Sequence, residues 1–247
     1  MSQGPPETSP MAYRVALGLL RGFFGGGWIT CHVSGREHLP PPGSPAITPI
    51  NHSSALDVCA GYVVNRPGYY AIKRESTEVP ILGPFLQRMG GIAIQRDEQD
   101  TEALRQMREV LRAGHILGIA PEGTRSRTGR VGRYDPGFVW LAARTGAVVV
   151  PIALHGAGRL LPKGARFPRR GEIWARVGEP ISFEAEGRRI SRERMQVLAD
   201  EVRGRTLAML RELVAESGVP NPALLEDGTD AGTDAGSVAL PHVEGRS

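Results

Sequence analysis

Ala46-Ile47-Thr48-Pro49-Ile50 runs directly into Asn51-His52-Ser53-Ser54-Ala55-Leu56-Asp57, and this junction decides how the rest of the chain is read. The first five residues have the length and apolar content of a short buried strand. Ser53 and Ser54 are of a type that caps a helix, here one running from about Ala55. His52 therefore falls at a strand-to-helix turn. In a continuous α-helix, residues five apart point about 140° from one another, so a helical His52 would miss Asp57. In a loop at the start of the helix the two can meet. An imidazole whose ring N–H is held by a carboxylate keeps its other nitrogen free as a base, and the carboxylate stabilises the imidazolium that forms. Such a pair would activate a hydroxyl nucleophile. The same residues also fit a polar turn in which Asp57 and the serines cap a helix and His52 lies on the surface.

Reading outward, Ala55 to Val64 suits a helix and Tyr69 to Ile72 a second strand, ending at Lys73-Arg74-Glu75. Pro80 to Met89 carries Ile81, Leu82, Phe85, Leu86 and Met89 at helical spacing. Gly90-Gly91 then leads into Ile92-Ala93-Ile94, a third strand that stops at Gln95-Arg96. Thr101 to Ala113 is an amphipathic helix with Leu104, Met107, Val110 and Leu111 on its apolar face, and His115 to Ala120 is a fourth strand. This alternation specifies an α/β fold, a single domain with a mostly parallel sheet flanked by helices. In such sheets, sites gather beyond the carboxyl ends of the strands. The polar residues there are Asn51-His52, Lys73-Arg74, Gln95-Arg96 and Glu122-Gly123-Thr124-Arg125, so one candidate base and several cations share an edge. That coincidence favours the catalytic reading of His52.

Pro121-Glu122-Gly123-Thr124-Arg125-Ser126 follows the fourth strand directly. Gly123 lets the backbone approach a ligand closely, Thr124 and Ser126 offer hydroxyl donors, and Arg125 offers a planar fork suited to phosphate. Glu122 could anchor Arg125 or accept from a substrate hydroxyl. Alone, these residues equally describe a glycine turn with solvated charges.

A chain of 247 residues with 40% apolar content can bury a substantial core. Its two cysteines, Cys31 and Cys59, form neither a metal-ligand pattern nor a disulfide framework, so a reducing setting is expected. Residues 1–10, polar and proline-rich without a secretory signal, read as a flexible leader. Residues 11–30 cluster Leu, Phe and Trp but are interrupted by Arg14, Arg21 and Gly25-Gly26-Gly27, which argues against a membrane span. They fit either an element lying in the membrane interface or a helix packed on the domain. Residues 31–217 form the main domain, closed by an amphipathic helix from Ser191 to Val214, and residues 218–247 read as a disordered acidic tail. The net charge is +4 from 30 basic and 26 acidic side chains, of which the tail holds one and five. The 29 basic and 21 acidic side chains before it make the folded part about +8, which suits an anionic partner.

Together these pieces resemble one family. Asn51 to Asp57 resembles the His-x4-Asp motif of the glycerolipid acyltransferases, and Gly91-Ile92-Ala93-Ile94-Gln95-Arg96 their second block. Pro121 to Ser126 resembles the third block and Val148-Val149-Val150-Pro151-Ile152-Ala153 the fourth, all in order. The similarity is greatest to bacterial 1-acylglycerol-3-phosphate acyltransferases, which make phosphatidic acid from lysophosphatidic acid and an acyl thioester. The resemblance implies that His52 is the general base and Asp57 its orienting carboxylate. It implies that Arg125, Arg96 and Lys73 bind the acceptor phosphate in a pocket shaped by Gly123 and Thr124, with Glu122 in the same block, and that Pro151 belongs to the acyl-donor region. It implies acyl-CoA or acyl carrier protein as co-substrate, no cofactor and no metal. The implied partners are a lysophospholipid acceptor and the cytoplasmic face of the cell membrane, met as a peripheral or monotopic protein, with no nucleic acid.

Two positions depart from the family pattern. Tyr134-Asp135-Pro136-Gly137 lacks a basic residue usual after the third block, and Ser53 and Ala55 replace the commoner arginine and bulky aromatic of the first. Both bear on the acceptor, which could instead be glycerol 3-phosphate or another lysophospholipid. Farther on, Arg159, Lys163, Arg166, Arg169 and Arg170 form a basic loop with Leu160, Leu161 and Phe167. It could grip anionic headgroups or the phosphates of coenzyme A, or be a solvated surface loop. A lipid hydrolase would need a serine nucleophile, and no Gly-x-Ser-x-Gly turn is present. A silent lipid-binding or nucleic-acid-binding module would leave the base-and-carboxylate pair without purpose.

Overall fold

Apolar runs that are buried on both sides make parallel strands, and five of them organise this chain. The computed structural model describes residues 9–25, 27–80, 82–95, 100–126, 128–162, 164–183, 190–221 and 224, with the side chains of Pro10, Ala12 and Leu82 outside the description. In order, the chain forms α1 (Pro10–Phe24), β1 (Ile29–Ser34), β2 (Ala46–Pro49), α2 (Cys59–Val64), β3 (Tyr69–Lys73) and α3 (Arg74–Thr77). There follow α4 (Leu82–Arg88), β4 (Gly91–Ile94), α5 (Thr101–Arg112), β5 (Ile116–Ile119) and α6 (Gly137–Thr145). The last are β6 (Val148–Val149), β7 (Ile152–His155), α7 (Ala157–Leu160), β8 (Gly171–Val177) and α8 (Arg192–Ser217).

The larger sheet has the order β4-β3-β5-β2-β6, with every pairing parallel. Period-two alternation sends neighbouring residues of β2 and β5, and of the run that includes β6, to two different cores. Ile47, Leu117 and Val149 join a cluster with Met107, Phe138 and Leu210, from α5, α6 and α8. Their neighbours Ala46, Ile116 and Val150 join the opposite cluster with Phe24, Val63 and Ile173. Helices start on named caps: Asp100 Oδ1 accepts from Ala103 N at 2.9 Å, and Ser191 Oγ accepts from Arg194 N at 3.2 Å.

The mostly parallel α/β sheet is as expected, and the four strands read from sequence are β2 to β5. A second sheet, of order β1-β8-β7, was not anticipated. β1 straddles the expected boundary between residues 11–30 and the main domain, with Ile29 paired to Gly171 and Ser34 to Arg176. Residue 30 therefore lies within a strand, and the leading segment shares a sheet with the rest. The two sheets meet at a parallel bridge between Ile50 and Ile152.

One side of α1 packs on the domain and the other is open. Leu20 and Phe23 pack against the cluster that contains Phe24 and Val63, while Met11, Val15 and Leu19 are exposed. Among the described residues no helix is long and apolar enough to cross a membrane. Most of the leader and most of the acidic tail lie outside the described residues.

Candidate active site

Proline at position 49 ends β2 because it has no N–H to extend the ladder. Ile50 N still donates to Ile119 O at 2.9 Å, and the chain then leaves the sheet edge. Asn51 fixes the departure. Its Nδ2 donates to Leu154 O at 2.9 Å and its Oδ1 accepts from Leu154 N at 2.8 Å, so a buried amide stands in for a ladder pair with β7.

His52 comes next, and three contacts define it. Its N–H donates to Glu122 Oε1 at 2.7 Å, and its carbonyl accepts from Ser126 N at 2.7 Å. Its ring Nδ1 lies 2.8 Å from Asp57 Oδ2. The same oxygen accepts from Ser53 N at 2.7 Å and Ser54 N at 2.8 Å. A carboxylate oxygen already taking two N–H donors needs a third donor rather than an acceptor, which assigns the proton to Nδ1 and the free lone pair to Nε2. Asp57 Oδ1 is buried with no partner among the described residues, so the donors converge on the oxygen facing His52. The Asp57 side chain is 2% exposed and that of His52 27%, leaving the carboxylate sealed and the ring reachable.

The turn is helical in a tighter form than expected: residues Ala55–Val58 make a 3-10 turn before α2. Ser54 Oγ accepts from Leu56 N at 3.1 Å and donates to Leu161 O at 2.9 Å. That hydroxyl is committed to structure and is not poised as a nucleophile for His52.

Glu122 is placed differently from a group that binds phosphate. Its Oε2 accepts from Gly132 N at 2.7 Å while Oε1 holds His52 N, so the carboxylate braces the turn from beneath. Burial pushes it up to about 7, against the two backbone bonds that pull it down. Gly123 sits at φ 69°, a conformation that favours glycine, and its N–H closes a turn to Ala120 O at 2.9 Å. Thr124 is half-buried and Arg125 exposed. The Arg125 guanidinium bonds to none of the described residues, and the next residue, Ser126, touches the His52 backbone.

Lys73 is exposed at the carboxyl end of β3, separated from β2 by β5, on the order of 10 Å away across two strand spacings. Its neighbour Arg74 is paired with Asp100 at 3.3 Å. Arg96 lies outside the described residues. Pro151 is buried where the two sheets join; its carbonyl accepts from Gly178 N at 2.8 Å, and its ring lies near the space beside Gly178 that Met209 also fills. Asp135, the departure from the family's basic residue, accepts through Oδ1 from the N–H of Gly137, the first residue of α6, at 2.8 Å.

The fold and the edge define a class: a parallel α/β sheet with a histidine-carboxylate pair and an exposed arginine beyond adjoining strands. Comparison with known proteins narrows this. The family model described as Acyltransferase matches residues 30–155, from β1 to β7. A 1-acyl-sn-glycerol-3-phosphate acyltransferase of Pseudomonas aeruginosa is 32% identical over 203 residues, covering 80% of this chain and 76% of its own. The chloroplastic enzyme of that name from Arabidopsis thaliana is 31% identical over 153 residues, 61% of this chain and 43% of its own. The chain thus spans less than half the length of that relative. The crystal structure of the 1-acyl-sn-glycerophosphate acyltransferase PlsC from Thermotoga maritima superposes with a TM-score of 0.64 over 85% of this chain and 83% of that one, at 24% identity, a likeness of fold. The chain belongs to the acyltransferase family.

Proposed function

We propose that the protein moves a fatty acyl group from an acyl thioester, acyl-CoA or acyl carrier protein, to the free hydroxyl of 1-acylglycerol 3-phosphate, giving phosphatidic acid. The observation that carries this is the convergence of Ser53 N, Ser54 N and His52 Nδ1 on one oxygen of Asp57. It leaves Nε2 as the open base. Nε2 takes the acceptor's hydroxyl proton as the oxygen attacks the thioester carbonyl, and Asp57 stabilises the imidazolium. The tetrahedral adduct collapses with loss of the thiolate, which takes the proton back from Nε2. Arg125, with Lys73 and Arg96, binds the acceptor phosphate, and the names of the relatives favour this acceptor. The protein works at the cytoplasmic face of the membrane without crossing it, with the exposed apolar residues of α1 turned to lipid.

The test offers purified protein a labelled acyl-CoA with lysophosphatidate, glycerol 3-phosphate, lysophosphatidylcholine or water alone. Label should appear in phosphatidic acid. Preference for glycerol 3-phosphate or lysophosphatidylcholine would replace the acceptor, and release of free fatty acid without transfer would overturn the reaction.

A further inference from the structure

The loop that leaves α7 is closed and held. Arg169 N donates to Leu160 O at 2.8 Å, which joins its two ends, and Ala165 N donates to Pro162 O at 3.0 Å within it. Two more bonds tie it to the rest of the fold. Ser54 Oγ donates to Leu161 O at 2.9 Å, linking the loop to the turn that carries His52. Trp28 Nε1 donates to Pro168 O at 2.9 Å, linking it to the residue before β1. The side chain presented beside that bond is apolar: Phe167 is 82% exposed, and Trp28 itself 54%. One exposed aromatic is ordinary on a protein surface. Two aromatics joined through adjacent backbone, with exposed Arg166, Arg169 and Arg170 around them, have the composition that favours a lipid–water boundary.

We infer that the 160–169 loop and Trp28 together form a bilayer contact that sets the His52 turn at the membrane surface. Phe167 and the Trp28 indole enter the headgroup region of an anionic bilayer, and the three arginines face its phosphates. Charge selects this occupant, because cations flanking an apolar tip match an anionic surface with an apolar interior. The Ser54–Leu161 bond makes the contact useful: an acceptor with a long acyl chain resides in the bilayer, and the loop fixes the catalytic turn relative to it. The inference deepens the proposed reaction and rests on it for the location of the acceptor.

The experiment measures co-sedimentation of the full chain with vesicles of phosphatidylcholine mixed with phosphatidylglycerol, and of phosphatidylcholine alone. Phe167→Ser should lower partition onto the mixed vesicles about tenfold. Arg166→Gln, Arg169→Gln and Arg170→Gln combined should lower it roughly a hundredfold there and little on neutral vesicles. Both variants should keep the wild-type rate on a short-chain acceptor dissolved below its micelle concentration. Unchanged partition in both would overturn the inference, as would loss of binding only on Val15→Ser and Leu19→Ser in α1. Arginine variants that partition normally but raise KM for acyl-CoA would assign the loop to the donor instead. Partition is read without turnover, so a protein that transfers no acyl group would refute the reaction while the vesicles still decide the loop.

Discussion

The backbone N–H of His52 and the backbone N–H of Gly132 are held 2.7 Å from the two oxygens of a single carboxylate, Glu122. The segment on the far side is anchored in turn by α8, where Arg203 Nε donates to Gly132 O and Nη2 to Val131 O, both at 2.7 Å. Burial raises Glu122 to about 7, above the ordinary carboxyl value of 4.5. Between those values the folded chain keeps a proton that the unfolded chain releases, so stability declines as pH rises through the window and levels off above it. The full effect is up to ~3 kcal/mol. Activity should run the other way, because protonation weakens the brace on the His52 turn, and kcat should fall on the acid side of about pH 7. Urea unfolding and kcat across this range, for wild type and Glu122→Gln, check both. A variant that keeps the wild-type slope of stability with pH would remove Glu122 from the account.

Asp57→Asn keeps the shape of the turn but removes the charge that stabilises an imidazolium at His52. We expect kcat to drop by about 10³ or more, with KM for either substrate changed little. The buried position and the two backbone donors at Oδ2 predict a folded variant. Steady-state kinetics beside a thermal melt separates the outcomes; a drop in Tm with kcat preserved would make Asp57 a cap and nothing more.

Asn51 makes both of its hydrogen bonds to Leu154, across the join of the two sheets. Asn51→Ala strands a buried N–H and a buried carbonyl, which costs about 1–3 kcal/mol for each group left unpaired. A sizeable loss in unfolding free energy should accompany a loss of activity, since the next residue is the base. Stability within about 0.5 kcal/mol of wild type would show that the clamp is replaceable.

Arg125 is exposed beside the turn and bonded to none of the described residues, which frees it for substrate. Arg125→Ala should raise KM for lysophosphatidate by about 10–100-fold without altering stability, and Arg125→Lys should restore part of the binding as a point charge. The same KM in all three forms would place the acceptor phosphate elsewhere.

Much of this was legible in the sequence because it is local. His52 and Asp57 are five residues apart within one turn, and the alignment of the β2, β3 and β5 ends along one edge follows from apolar runs separated by helices. What was missed depends on distant partners. β1 exists by pairing with β8, a contact between residues 29–34 and 171–176 that no local pattern announces, and its exposed His32 and Ser34 dilute the apolar signal. Asn51 reads as a generic polar neighbour of His52 until Leu154, 103 residues away, is brought beside it. Glu122 stands three residues before Arg125, in the block expected to hold the phosphate, yet both of its oxygens go to backbone donors. Asp135 holds the chain where α6 begins: its Oδ1 accepts from the N–H of Gly137, the first residue of the helix, which gives it a place there without reference to the acceptor.

The central claim is that Nε2 of His52 takes the acceptor proton. The direct measurement is kcat/KM for lysophosphatidate and acyl-CoA in His52→Ala, in protein whose melting curve matches wild type. The account predicts a loss of about 10³-fold or greater. Acyl transfer continuing within about tenfold of wild type would contradict it.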